Sequence, residues 1–256
     1  MAAGRPIFSL VALFFTAGAM LLMFLTLLGG ATNHTPLNDI YFLQADTSSI
    51  PGAPPASRWT FWNLCSVQNG KSQCGSSHPC FPFDPPNSRN FGTDSNVPAE
   101  FIGTKHYFLM SRFMFPFIII SLFFATCSLF LGFVAICTRI GSYLSSLLTW
   151  LAWVFQVITT SLMTACFVQG RNHFNSNGES ASLGKKAFGF MWTAVACLTI
   201  STVLYCVGGS RGKTEEGYTG RETRRRGFFG ASRHSSTRSR GSFRNSTAEE
   251  RKNYTA

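Results

Sequence analysis

The chain has 256 residues, 45% of them apolar, and on those figures alone it is compatible with one or two soluble domains. Its formal charge of +11 sits largely in the C-terminal tail, so it is not by itself a nucleic-acid signature. What excludes an ordinary soluble protein is distribution: the apolar residues gather into four runs that contain no Asp, Glu, Lys, Arg or His.

The first run, Ile7 to Leu28, has 22 residues and follows a six-residue N-terminus carrying Arg5. It exceeds the usual signal-peptide core of about 7–15 residues, so it reads as an uncleaved helix, although Gly29, Gly30 and Ala31 are small enough for a cleavage site. A long connection follows, from Gly29 to Arg112, with five basic and five acidic residues. Its start, through Ser49, mixes polar and apolar residues. Pro51, Pro54 and Pro55 then read as an extended spacer. Trp59, Phe61 and Leu64 suggest strands, and Pro79, Pro82, Pro85 and Pro86 impose turns.

The second run is Phe113 to Cys137, with Pro116 near one end. Residues 138–146 form a short loop with Arg139. The third run is Leu147 to Val168, and residues 169–186 carry Arg171, Lys185 and Lys186 against Glu179. The fourth run is Ala187 to Val207. A bilayer core about 30 Å thick needs roughly 20 helical residues, and every run meets that length. The tail, residues 208–256, holds twelve Lys and Arg against five Glu, a net +7. By the positive-inside rule, both termini are cytoplasmic in this reading and residues 29–112 and 169–186 are extracellular. The expected fold is a membrane all-α protein: a four-transmembrane-helix bundle with a small disulfide-containing, β-rich extracellular loop domain.

Small and hydroxylated side chains are expected to pack the helices, because lipid offers no hydrophobic drive between them. Gly189, Thr193, Cys197 and Ser201 repeat every four residues in the fourth run, and Gln156, Thr160 and Thr164 do so in the third. A polar transport path would need ionisable groups at depth, and the runs have none.

Catalytic patterns are scarce. His34, His78, His106, His173 and His234 are scattered without metal-ligand spacing, so no metal or cofactor is expected. Gly212, Lys213 and Thr214 imitate the end of a phosphate-binding loop, but Val207 stands where its first glycine belongs. Asp84, Asp94 and Glu100 read as solvated carboxylates rather than an acid pair. Taken together, these residues point away from an enzyme.

The strongest local pattern is Trp62-Asn63-Leu64-Cys65 followed, after eight residues, by Cys74. A disulfide between Cys65 and Cys74 on the oxidising side would contribute about 2–3 kcal/mol through chain entropy. Cys80 is then left over, either as a free thiol or as a bridge to a second molecule. Trp three residues before Cys resembles the first-loop signature of claudin-type four-span proteins, with Thr60-Phe61 standing where claudins carry Gly-Leu. A wider set narrows the likeness: Arg58-Trp59-Thr60-Phe61-Trp62-Asn63-Leu64-Cys65, then Phe81-Pro82-Phe83-Asp84-Pro85-Pro86, then Arg89-Asn90-Phe91-Gly92-Thr93. This set resembles the fungal Sur/PalI family, in particular its Sur-type, eisosome-associated members. The resemblance implies a non-enzymatic organiser of plasma-membrane domains that affects endocytosis, cell-wall integrity and sporulation. It also admits a PalI-type accessory of ambient-pH sensing, or a claudin-like channel-accessory subunit. The implied partners are the lipid bilayer and other cortical membrane proteins, with homo-oligomers left open.

In the tail, which is expected to be disordered, Arg224, Arg225 and Arg226 precede Phe228 and Phe229, a set suited to anionic inner-leaflet lipids. Ser235, Ser236, Ser239, Ser242 and Ser246 lie among arginines as candidate phosphorylation sites that would weaken that contact. Nucleic acid is not an expected partner, since no folded reader accompanies the charge. Cys137 and Cys206 sit at the cytoplasmic ends of spans, where they are candidates for palmitoylation or are simply packing residues. Asn33-His34-Thr35 is a glycosylation pattern close to the membrane, and Asn245-Ser246-Thr247 and Asn253-Tyr254-Thr255 should stay bare on the cytoplasmic side.

Overall fold

A computed structural model describes residues 4–210. Four helices carry the apolar runs: α1 (Gly4–Leu28), α2 (His106–Cys137), α3 (Arg139–Ser176) and α4 (Lys185–Ser210). All four are long and apolar enough to cross a membrane. They form a ring in which α1 packs on α2 and α4, and α3 packs on α2 and α4.

The helices outrun the apolar runs. The segment 138–146, read from sequence as a loop, is helical from Arg139 onward, and only Thr138 separates α2 from α3. Thr138 is extended at φ −122° and ψ 145°, and its Oγ1 accepts from the Gly141 amide at 3.1 Å, so it caps α3. A Cβ on Gly141 would press on that hydroxyl and on the α2 backbone, which is why the elbow can be so short. At its other end α3 runs past Val168 to Ser176 and stops before Gly178, at φ +86°. Polar residues continue these helices because a helix end beyond the apolar core can be solvated.

The two connections at the end of the bundle away from Gly4 and Ser210 build one antiparallel sheet. Its strands are β1 (Leu43–Asp46), β2 (Ala56–Trp59), β3 (Leu64–Gln68), β4 (Lys71–Gln73) and β5 (Ala181–Leu183), in the order β4-β3-β2-β1-β5. β5 comes from the second connection and pairs Leu43 with Leu183 and Gln44 with Ser182. The stretch with Pro51, Pro54 and Pro55 is not an extended spacer. It is a folded β1–β2 connection in which the Thr47 amide donates to the Pro55 carbonyl at 3.0 Å and Thr47 Oγ1 to the Pro54 carbonyl at 2.6 Å.

Within the bundle, hydroxyls tie each helix to a neighbour. Thr16 Oγ1 donates to Ser201 Oγ at 2.9 Å between α1 and α4, Ser121 Oγ to the Ala152 carbonyl at 2.8 Å between α2 and α3, and Ser142 Oγ to the Tyr205 carbonyl at 2.9 Å between α3 and α4. Gln156 and Thr160 are fully buried, as packing by side-chain hydrogen bonds requires. The α4 stripe needs correction. Gly189 and Thr193 face outward, and the buried face is Ala187, Met191, Ala194, Leu198, Ser201 and Tyr205. Steps of four drift about 40° per step around an α-helix, whereas alternating steps of three and four hold one face.

Candidate functional site

The residues that carry the family resemblance meet where the sheet sits on the bundle. Trp59 ends β2 and is 1% exposed. Its indole Nε1 donates to Asn90 Oδ1 at 2.8 Å, and Asn90 Nδ2 donates to the Pro82 carbonyl at 3.1 Å. Asn90, 31 residues from Trp59 in the chain, thus ties the first part of the pattern to the second. The Trp59 ring meets Phe83 at 5.3 Å, Phe91 at 5.9 Å and Phe174 of α3 at 5.6 Å. The Phe83 and Phe91 pairs are edge-to-face, a geometry that stabilises beyond the area it buries.

Phe83 is held from three directions. Its amide donates to Ser111 Oγ of α2 at 2.9 Å, its ring packs 5.1 Å from Phe167, and it lies over Gly170, where a Cβ would strike the ring. Phe81 donates its amide to the Phe61 carbonyl at 3.0 Å, and Phe42 stacks on Phe167 at 5.0 Å. Trp62 reaches the other way: its Nε1 donates to the Leu27 carbonyl at 2.6 Å, occupying an end-of-helix acceptor of α1. Pro82 and Pro85 are buried. The Pro85 carbonyl accepts from Phe91, and Gly92 takes φ +66° to close the 87–92 turn on the Asn87 carbonyl. Asp84 is half-buried, and desolvation pushes its carboxyl above the ordinary aspartate value, against the pull of the Asn87 amide. Arg89 is exposed.

Cys65 of β3 and Cys74, just after β4, are joined by a disulfide. Cys80 is a free, half-buried thiol that donates to the Arg112 carbonyl at 3.4 Å, and burial pushes its pKa up. Beside the disulfide lies an anchor that the sequence showed only as a glycosylation pattern. Asn33 Nδ2 donates to the Cys74 carbonyl at 3.1 Å, and the Cys74 amide donates to Asn33 Oδ1 at 2.8 Å. The amide of the Asn33-His34-Thr35 pattern is therefore a structural clasp.

Cys206 is exposed on α4 with its Sγ 3.0 Å from Ser146 Oγ. The side chain of Cys137 lies outside the described residues. So do Arg224, Arg225, Arg226, Phe228 and Phe229, the serines at 235, 236, 239, 242 and 246, and Asn245 and Asn253. Among the described residues no three His, Cys, Asp or Glu side chains gather as metal ligands. Glu100 lies 3.9 Å from His173 Nδ1 at the edge of the aromatic cluster, the carboxylate exposed and the imidazole half-buried.

The arrangement is a weld: it fixes the height and orientation of a small sheet on four membrane helices. Comparison with known proteins places the same span under one heading. Residues 8–204 match the model of the SUR7/PalI family. The chain is 36% identical over 208 residues to protein SUR7 of Candida albicans, covering 80% of this chain and 75% of that protein. It is 34% identical to protein SUR7 of Saccharomyces cerevisiae, covering 76% of this chain and 65% of that one. It is 30% identical to an uncharacterized plasma membrane protein of the same yeast, covering 75% and 64%. The chain thus spans just under two thirds of these two Saccharomyces relatives.

Proposed function

The chain belongs to the SUR7/PalI family, and from that premise we propose that it is a plasma-membrane protein that organises cortical membrane domains of the eisosome type, without catalysing a reaction. Endocytosis, cell-wall integrity and sporulation are the processes it affects in this reading. The observation that carries it is the match over residues 8–204, which includes every residue of the weld. Identities of 36% and 34% to proteins named SUR7 favour that branch over PalI-type pH sensing.

The geometry supports a physical way of acting. A lateral organiser must present a fixed shape to lipid and to neighbours. Phe14, Phe123 and Phe130 are 72%, 62% and 66% exposed on α1 and α2, so rings project from the bundle where acyl chains would lie. The sheet is held on the same body by Trp59, Trp62 and Phe83. In this reading the sheet is extracellular and both termini are cytoplasmic, where the +7 tail meets anionic lipid.

A tagged copy in living fungal cells tests the proposal. Static cortical patches with slow recovery after bleaching are expected, and a uniform, freely diffusing membrane signal overturns it. Glycans mapped to Asn245 or Asn253 would reverse the orientation.

A further inference from the structure

Two charge arrangements remain unexplained by the weld, and both border the same cavity. The first is Arg58 of β2, which is only 7% exposed. Its Nε donates to Gln44 Oε1 at 2.8 Å, its Nη1 to Ser72 Oγ at 3.1 Å, and its guanidinium carbon lies 4.2 Å from the centroid of the Tyr41 ring. All three partners are neutral. A buried guanidinium ordinarily faces a carboxylate, because desolvating an unbalanced charge costs several kcal/mol.

The second is the start of α4, which opens on Lys185 and Lys186 and has no acidic residue in its first turn. A helix N-terminus carries the positive end of the helix dipole, so two lysines there have the unfavourable sign. Lys186 is paired with Asp39 at 3.0 Å. An open cavity of about 480 Å³ is lined by Arg58, Lys185, Lys186, Tyr41, Ser182 and Asp39, among others. Three cations and a helix N-terminus therefore share one space with a single carboxylate, for a side-chain charge of +2.

We propose that this cavity binds a phosphate-type anion, supplied either by a lipid headgroup on the sheet side of the membrane or by free phosphate. The negative group would face Arg58 and Lys185, with Lys186 divided between it and Asp39. Hydrogen-bond donors are plentiful there: both lysine ammonium groups, the guanidinium and the Ser182 hydroxyl. Lys185 is also the first residue of an apolar span, which sets the cavity at the depth where headgroups lie. The site requires only that α4 crosses a membrane and does not rest on the organising role. A failure of binding would leave the organiser reading standing, and diffuse localisation would leave the site standing.

The experiment uses the full chain purified in a neutral detergent. Sodium phosphate is titrated against sodium chloride at matched ionic strength, and short-chain phosphatidylglycerol against short-chain phosphatidylcholine, with binding read by thermal shift and calorimetry. Saturable binding of phosphate or phosphatidylglycerol is expected, with little response to chloride or phosphatidylcholine. The double change Lys185→Gln, Lys186→Gln should weaken it about tenfold. Both lysines are exposed, so that variant keeps the fold, and Arg58→Lys tests the buried guanidinium separately. Lys71→Gln, on the exposed β4 edge, should bind like the parent. Saturation by phosphate and by lipid supports the site with a soluble source available, and saturation by lipid alone assigns it to a headgroup. No saturable binding of either anion, an unchanged affinity in the double lysine variant, or equal weakening by Lys71→Gln overturns the proposal.

Discussion

The two ends of the bundle are built by different physics. On the sheet side the core is aromatic: Phe42, Trp59, Phe61, Phe83, Phe101, Phe167 and Phe174 are all at most 3% exposed. At the end of the bundle where α1 begins and α4 stops it is small and hydroxylated. Ala12, Ala135, Ser128, Ser142, Ser145 and Thr149 are fully buried, and Gly132 lies under Tyr205, where a Cβ would strike the ring hydroxyl. The sheet side stands in or near water, so burying large rings there gains the full hydrophobic effect. Deep in lipid that drive vanishes, and close backbone approach with interhelical hydrogen bonds takes over. Ser128 Oγ, for example, donates to the Ser145 carbonyl of α3 at 3.1 Å and bonds the Thr149 hydroxyl. One chain thus changes its means of cohesion along the bundle axis.

Trp59→Ala should break the contrast most visibly. It empties a fully packed site and strands Asn90, a loss of about 3–5 kcal/mol. A large drop in the unfolding midpoint in detergent, with protease sensitivity confined to residues 29–112, is the expected outcome. Loss of the four-helix core along with the sheet would mean that the two ends are not separable. Trp59→Phe should fall between this and the parent, because it keeps a ring and loses the 2.8 Å bond to Asn90.

Next in size is Cys65→Ser. The disulfide closes a separation of nine residues, and its removal should cost about 2–3 kcal/mol. Reduced delivery to the surface should accompany that loss. Mass mapping under non-reducing conditions should find Cys65 and Cys74 linked in the parent and Cys80 free.

At the other end, Ser128→Ala should cost far less. Hydrogen bonds between membrane helices average about 0.6 kcal/mol and reach about 1.7 kcal/mol. A loss as large as that of Trp59→Ala would contradict this division of the bundle and make hydroxyl pairing the main cohesive force.

The smallest effect concerns pH. Glu179 follows α3, is 8% exposed, and accepts from Ser49 Oγ at 2.6 Å. Burial raises its pKa above the ordinary glutamate value, and the Ser49 hydrogen bond opposes that only in part. The folded state therefore favours the neutral acid. Stability from this group is complete below the unfolded glutamate pKa and is lost as pH rises through the folded value. Glu179→Gln should remove that downward step while keeping a carbonyl for Ser49. A melting profile whose pH slope is identical in the variant would show that Glu179 does not titrate in this way.

Much of the fold is legible in the amino-acid sequence. Four uncharged runs near 20 residues or longer admit few alternatives, since a bilayer forces each to satisfy its own backbone. The approach of Cys65 and Cys74 is legible too, because a short separation and a neighbouring tryptophan are local facts. Strand β5 is not: Ala181-Ser182-Leu183 carries no strand signal, and it becomes a strand only by pairing with β1 across more than 130 residues. The length of α3 is hidden for a related reason. Residues 139–146 are polar enough to read as a loop, and what makes them helical is the Thr138 cap and the close packing that Gly141 permits. Sequence alone determined the membrane class, the number of helices and the residues of the motif, because apolar length and local spacing depend on near neighbours. Only the tertiary structure decided that Asn90 would clasp Trp59, that β5 would complete the sheet and that Arg58 would share a cavity with Lys185, since each depends on contacts between residues far apart in the chain.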